Sequence, residues 1–184
     1  MLYRIYGNEV VTILCMYPNQ HHSDPNSFTR HHQLQLMHSL VQQASSSNNN
    51  HLLHHVYKYA SKYLLIRLKD KSSSCRALAM STLSFLLQLP TADETLKKEL
   101  KYFTRYDPSV EVRRIGTRAA GGVERLKLRF FYDQAFDRNM NVRVEAFRAM
   151  GVMKDGGLLV RDMSQLSGDK LCRLVLWGTL YSDG

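Results

Sequence analysis

The chain has 184 residues, 44% of them hydrophobic, with 25 Lys and Arg against 16 Asp and Glu for a net charge of +9. That apolar share supports a packed core, no run of about 20 apolar residues offers a membrane span, and Met1-Leu2-Tyr3-Arg4 opens no signal-peptide core. Cys15, Cys75 and Cys172 are far apart within helical patterns, so they read as reduced, buried thiols of an intracellular protein rather than a disulfide framework.

Val10, Val11, Ile13 and Leu14 predict a first apolar helix, broken at Asp24-Pro25. Leu34, Leu36, Met37 and Leu40 predict the next, followed by the low-complexity linker Ser45-Ser46-Ser47-Asn48-Asn49-Asn50. Leu64, Leu65 and Leu68 then lead into Asp70, and Leu78, Leu83, Leu86 and Leu87 follow it. Leu100, Phe103 and Tyr106 are spaced as one helical face. Asp107-Pro108-Ser109 ends that helix, because proline disfavours helix at the residue before it and is tolerated at the start of a new one. Asp107 or Ser109 can cap the new helix, whose expected buried stripe is Val112, Ile115 and Ala119. Phe130, Phe131 and Ala135 repeat the approach to Asp137, with Val142, Ala146 and Met150 beyond it. A partial last unit is expected at Leu171, Leu174, Val175 and Trp177, with Arg173 present and Ser167 in place of the Asp.

One spacing ties these units together. Asp24 and Arg30, Asp70 and Arg76, Asp107 and Arg113, and Asp137 and Arg143 each lie six residues apart between two apolar stretches. With 10 Asp and 15 Arg in the chain, about one such pair is expected by chance, and Asp155 with Arg161, which lacks the flanking pattern, fills that role. The gaps between successive arginines are 46, 37 and 30 residues, the drifting period of a helical solenoid. The expected fold is therefore all-α, stacked antiparallel helix pairs, with a partial, divergent unit and its His/Ser/Asn-rich linker at 1–50 and the main repeat segment at 51–184. The acidic side chain suits the amides and dipole at the following helix start, and the Arg can bond that carboxylate or its counterpart in the next repeat. These eight residues are expected to be structural.

The charge is unevenly placed. Residues 1–50 and 149–184 are each neutral, whereas 51–148 carry 19 Lys and Arg against 10 Asp and Glu. A basic middle on a helical stack suits a polyanion. Arg67, Lys69 and Lys71 cluster at one turn, Arg114 and Arg118 share a helix face, and Arg125 and Lys127 begin the next helix. Equivalent positions line up along a solenoid, so these seven residues are the expected phosphate contacts, with little base reading. All eight histidines lie between 21 and 55, and His51 and His55 are one helical turn apart, but no Cys or carboxylate set completes a metal site. No phosphate loop, dinucleotide fingerprint, nucleophile elbow or acid/base carboxylate pair occurs. Tyr102, Phe103 and Phe147 read as packing. No catalysis, cofactor, metal or small-molecule substrate is expected.

Residues 63–123 carry a more specific likeness. Leu64-Leu65-Ile66-Arg67-Leu68-Lys69-Asp70-Lys71, then Arg76, Ala77, Ala79, Leu83 and Leu87-Gln88, then Asp107-Pro108-Ser109-Val110-Glu111-Val112-Arg113-Arg114 resemble the repeats of the G-type, non-SMC HEAT-repeat family of the condensin complex. Asp137 to Ala146 is similar to the repeat that follows, and the likeness extends over about 30–180; Cys75 departs from it, as does the His- and Asn-rich 21–55 segment. The chain is far shorter than a full-length member of that family, so it resembles a fragment or truncated form. The resemblance implies a HEAT-repeat α-solenoid and a nuclear, non-enzymatic role in mitotic chromosome condensation. It implies a kleisin subunit, the SMC-containing complex and double-stranded DNA as partners. The alternative is a HEAT adaptor with protein partners alone, in transport or signalling.

Overall fold

A computed structural model of the protein describes residues 12–18, 23–46, 50–88, 93–121 and 128–152. These are all-helical, with α1 at 12–18, α2 at Ser27–Ser46, α3 at Asn50–Arg67, α4 at Ser73–Leu86, α5 at Glu94–Tyr106, α6 at Val110–Gly121, α7 at Leu128–Ala135 and α8 at Met140–Val152. No strand occurs among the described residues. The chain divides into two compact units, Met1–Leu100 and Lys101–Gly184. The expected break at residue 50 is not where the chain divides, because α2 packs on both α3 and α4.

In the first unit, Leu34, Met37, Val41 and Ala44 of α2 meet a core completed by Val56, Ala60, Tyr63 and Leu64 of α3 and by Ala79, Met80, Leu83 and Leu86 of α4. Burying these side chains contributes roughly 1.5–3 kcal/mol for each large one. Cys15 and Cys75 are buried thiols, and burial pushes the Cys15 thiol up to about 12. In the second unit, α8 packs on α6 and α7. Small buried residues of α6, Gly116, Ala119 and Ala120, let it approach α8, where Val142, Ala146 and Ala149 are buried. Phe130, Phe131 and Ala135 of α7 complete this core.

The helix starts repeat one local design. After each turn aspartate, its Oδ1 accepts the amide of the residue two places on: Asn26 from Asp24, Ser72 from Asp70, Ser109 from Asp107 and Asn139 from Asp137. The carbonyl of that second residue accepts the amide of Arg30, Arg76, Arg113 or Arg143, closing the first helical turn. The aspartate therefore shapes the turn, and the residue after next is the N-cap. Asn26 and Asn139 also cap with their own side chains, accepting the amides of Phe28 and Asn141.

Candidate functional site

The geometry resolves the two options left open for the arginines. Arg30 does not bond the Asp24 carboxylate. Its Nε and Nη2 donate to both oxygens of Asp70, at 2.8 and 2.9 Å, while Nη1 donates to the carbonyls of Asp24 and Pro25. Arg113 does the same one unit later. Nε and Nη2 donate to Asp137 at 2.7 and 3.0 Å, and Nη1 donates to the Asp107 and Pro108 carbonyls. Arg76 and Arg143 make the same pair of carbonyl bonds to their own turns, at Asp70 and Lys71 and at Asp137 and Arg138. Each guanidinium thus ties off its own turn, and Arg30 and Arg113 also clasp the next aspartate.

Asp70 is the more heavily bonded carboxylate. Arg67 Nη1 donates to its Oδ2 at 2.6 Å, and both side chains are nearly inaccessible. Burial opposes ionisation of Asp70, but the Arg30 bond, the Ser72 amide and the charges of Arg30 and Arg67 outweigh it and hold the carboxyl below its ordinary value. The Asp137 carboxyl is held low by the same balance: burial opposes ionisation, and Arg113, the Asn139 amide and the charges of Arg113 and Arg138 prevail. The place of Arg67, three residues before the turn aspartate, is taken by Gln134 before Asp137.

These bonds redraw the expected phosphate-binding set. Arg67 is 4% exposed, bonded to Asp70 and seated over the Tyr63 ring, so it is part of the core and not of a DNA-facing surface. Arg114 forks onto Glu111 through Nε and Nη2, and Arg118 forks onto Glu145 of α8. Both arginines share a face as expected, but that face is laced with carboxylates: Glu145 lies 3.8 Å from Arg114 as well. The Arg114 bond, against the cost of partial burial, holds the Glu111 carboxyl below its ordinary value. Lys69 and Lys71 are exposed, Lys69 standing 3.8 Å from Glu99. Arg125 and Lys127, with the unit around Ser167 and Arg173, lie outside the described residues.

Exposed cations that the charge clusters did not single out include Lys58 and Lys62 on α3. They are one helical turn apart and so share a face of α3, about 6 Å apart along its axis, while Lys69 lies in the turn two residues past the helix end. The signal was periodic spacing rather than adjacency. Two tyrosines depart from expectation. Tyr102 and Tyr106, expected in the core, are 57% and 66% exposed, with ring centroids 5.3 Å apart. Each step of three residues lags a full helical turn by about 60°. Leu100 and Phe103 stay on the buried face, and Tyr106, two steps on, has rotated away from it.

His38 Nδ1 lies 3.0 Å from Thr82 Oγ1, and burial holds its imidazole below the ordinary value. Among the described residues no group of three His, Cys, Asp or Glu is placed to hold a metal. No protein-family model matches the chain, and no curated protein matches it.

Proposed function

We propose that the chain is a HEAT-type scaffold segment, non-enzymatic, which presents the exposed lysines of its first unit to the backbone of double-stranded DNA. The setting that the repeat sequences suggest is a condensin-type complex on nuclear chromosomes, with a kleisin subunit as protein partner. The fold reading is supported by the repeated clasp and by the packing of equivalent helices, α2 on α4 and α6 on α8. The observation that carries the DNA reading is the set of exposed lysines at Lys58 and Lys62 on one face of α3 and at Lys69 and Lys71 in the turn that follows it. Exposed lysines bind phosphates as point charges without reading bases.

A second reading, an adaptor with protein partners alone, is favoured by the carboxylates that neutralise Arg114 and Arg118. Salt dependence separates the two. Binding of a labelled duplex should fall linearly with salt on logarithmic axes, and replacing any one of Lys58, Lys62 or Lys69 by Gln should reduce the slope by about one, for every sequence tested. Affinity indifferent to salt and to all three substitutions would sink the DNA reading and leave the adaptor.

A further inference from the structure

The rings that left the core recur in register. Tyr102 and Tyr106 stand five and one residues before Asp107, and Tyr132 and Phe136 stand five and one before Asp137. The two pairs have nearly the same geometry: centroids 5.3 Å apart at 53° between planes in the first, 4.9 Å at 54° in the second. Tyr106 and Tyr102 are well exposed, Phe136 is 37% exposed and Tyr132 is half-buried. The turn does not need rings there, because Leu65 and Lys69 occupy the same places before Asp70. Nor does the core, which Phe103, Phe130 and Phe131 already fill from beneath. Large aromatic faces left in water at matched positions mark a contact surface.

The charge around the rings selects the partner. Lys101 and Arg138 are exposed, one residue before Tyr102 and two residues after Phe136 in sequence. Arg105, between Tyr102 and Tyr106 in sequence, lies over Phe130 and bonds Asp133, so the carboxylate next to Tyr132 in sequence is paired and α5 meets α7 here. Exposed rings with cations close in sequence are what unpaired bases and their phosphates require, since every base offers a π-face. Duplex bases are stacked inside the helix and offer no such face to exposed rings. We propose that the ring pairs of α5 and α7, with Lys101 and Arg138, form a stacking site for single-stranded nucleic acid, separate from the exposed lysines of the first unit.

The test uses the full chain and a fluorescently labelled oligothymidylate, followed by anisotropy. Tyr102→Leu and Tyr106→Leu should each weaken binding roughly tenfold, while Tyr102→Phe and Tyr106→Phe, which keep the ring, should bind as the parent does. Duplex binding should be unchanged in all four, and the three lysine substitutions should leave the ring-dependent loss intact, so this site can fail while the duplex reading stands. Circular dichroism checks that the leucine variants stay folded; alanine at the same exposed positions serves as a second series. Leucine variants that keep parental affinity overturn the proposal, because bulk without a π-face would then suffice, as in peptide docking. Concentration-dependent self-association of the parent, lost in the leucine variants without oligonucleotide, overturns it in favour of a contact between copies.

Discussion

Arginine at 30 and at 113 meets a demand that lysine cannot. The guanidinium points one nitrogen at two carbonyls of its own turn and two more at both oxygens of the next aspartate. Only a planar fork presents donors in those directions at once. The two clasps differ in one respect: Asp70 also takes Arg67, whereas Gln134 holds that position before Asp137. Asp70→Asn should leave the buried Arg67 and the half-buried Arg30 guanidinium undercompensated and cost about 3–5 kcal/mol, as when one partner of a buried ion pair is removed. Asp137→Asn should cost less. Urea denaturation measures both, and equal losses would show that Arg67 adds nothing. The aspartate-to-arginine spacing was legible in the sequence, but the partner was not. Arg30 and Asp70 are 40 residues apart, and the local Asp24 was an equally good candidate until helix packing set the distance. Arg67 misled for a related reason: a cation in a basic cluster reads as surface, and only the fold reveals that Asp70 and Tyr63 enclose it.

Helix type and order were legible because apolar residues recur at helical spacing and a turn aspartate, followed by proline at Asp24 and Asp107, punctuates them. Helix faces were less so near the ends, where a short run of three-residue steps turns off the core, as at Tyr106. Close approaches were not legible at all, since a glycine late in a helix reads as a stop signal. Gly121, the last residue of α6, is also a packing residue: a methyl group there would meet the Cβ of Ala149 at 3.0 Å, with the Ala149 Cα at 3.4 Å. A Cβ cannot rotate away, so α6 and α8 would have to separate. Gly121→Ala should destabilise by about 1–3 kcal/mol through overpacking, less whatever alanine's better helix propensity returns at a terminal position. Adding Ala149→Gly should recover most of the loss, because it vacates the space the new methyl needs. Thermal unfolding of the single and double variants measures this, and a Gly121→Ala chain as stable as its parent would mean that the helices accommodate the methyl.

Across the molecule, acid should act on the two units in a defined order. His38 in the first unit has a folded value below its ordinary 6.5, because burial disfavours the charged ring. The unfolded chain therefore takes up the proton first, and the stability held above pH 6.5 declines as pH falls through that value toward the folded one. The clasp carboxylates act later. Asp70 and Asp137 both titrate below their ordinary 3.8 when folded, so their contribution is complete above that value and is lost as pH falls from it through the folded pKa. Glu111, held below 4.5 by Arg114, adds to the acid loss in the second unit. Amide hydrogen exchange across a pH series resolves the units separately. Protection of α2 and α4 should begin to weaken as pH falls through 6.5 in the parent, and His38→Asn should remove that early phase. Protection of α6 and α8 should show no phase attributable to His38 and should fall only near the carboxylate range. Substituting Asp137→Asn should flatten that last fall in the second unit and leave the first unchanged. Weakening of both units together at about pH 6 would mean that a group other than His38 governs the early phase.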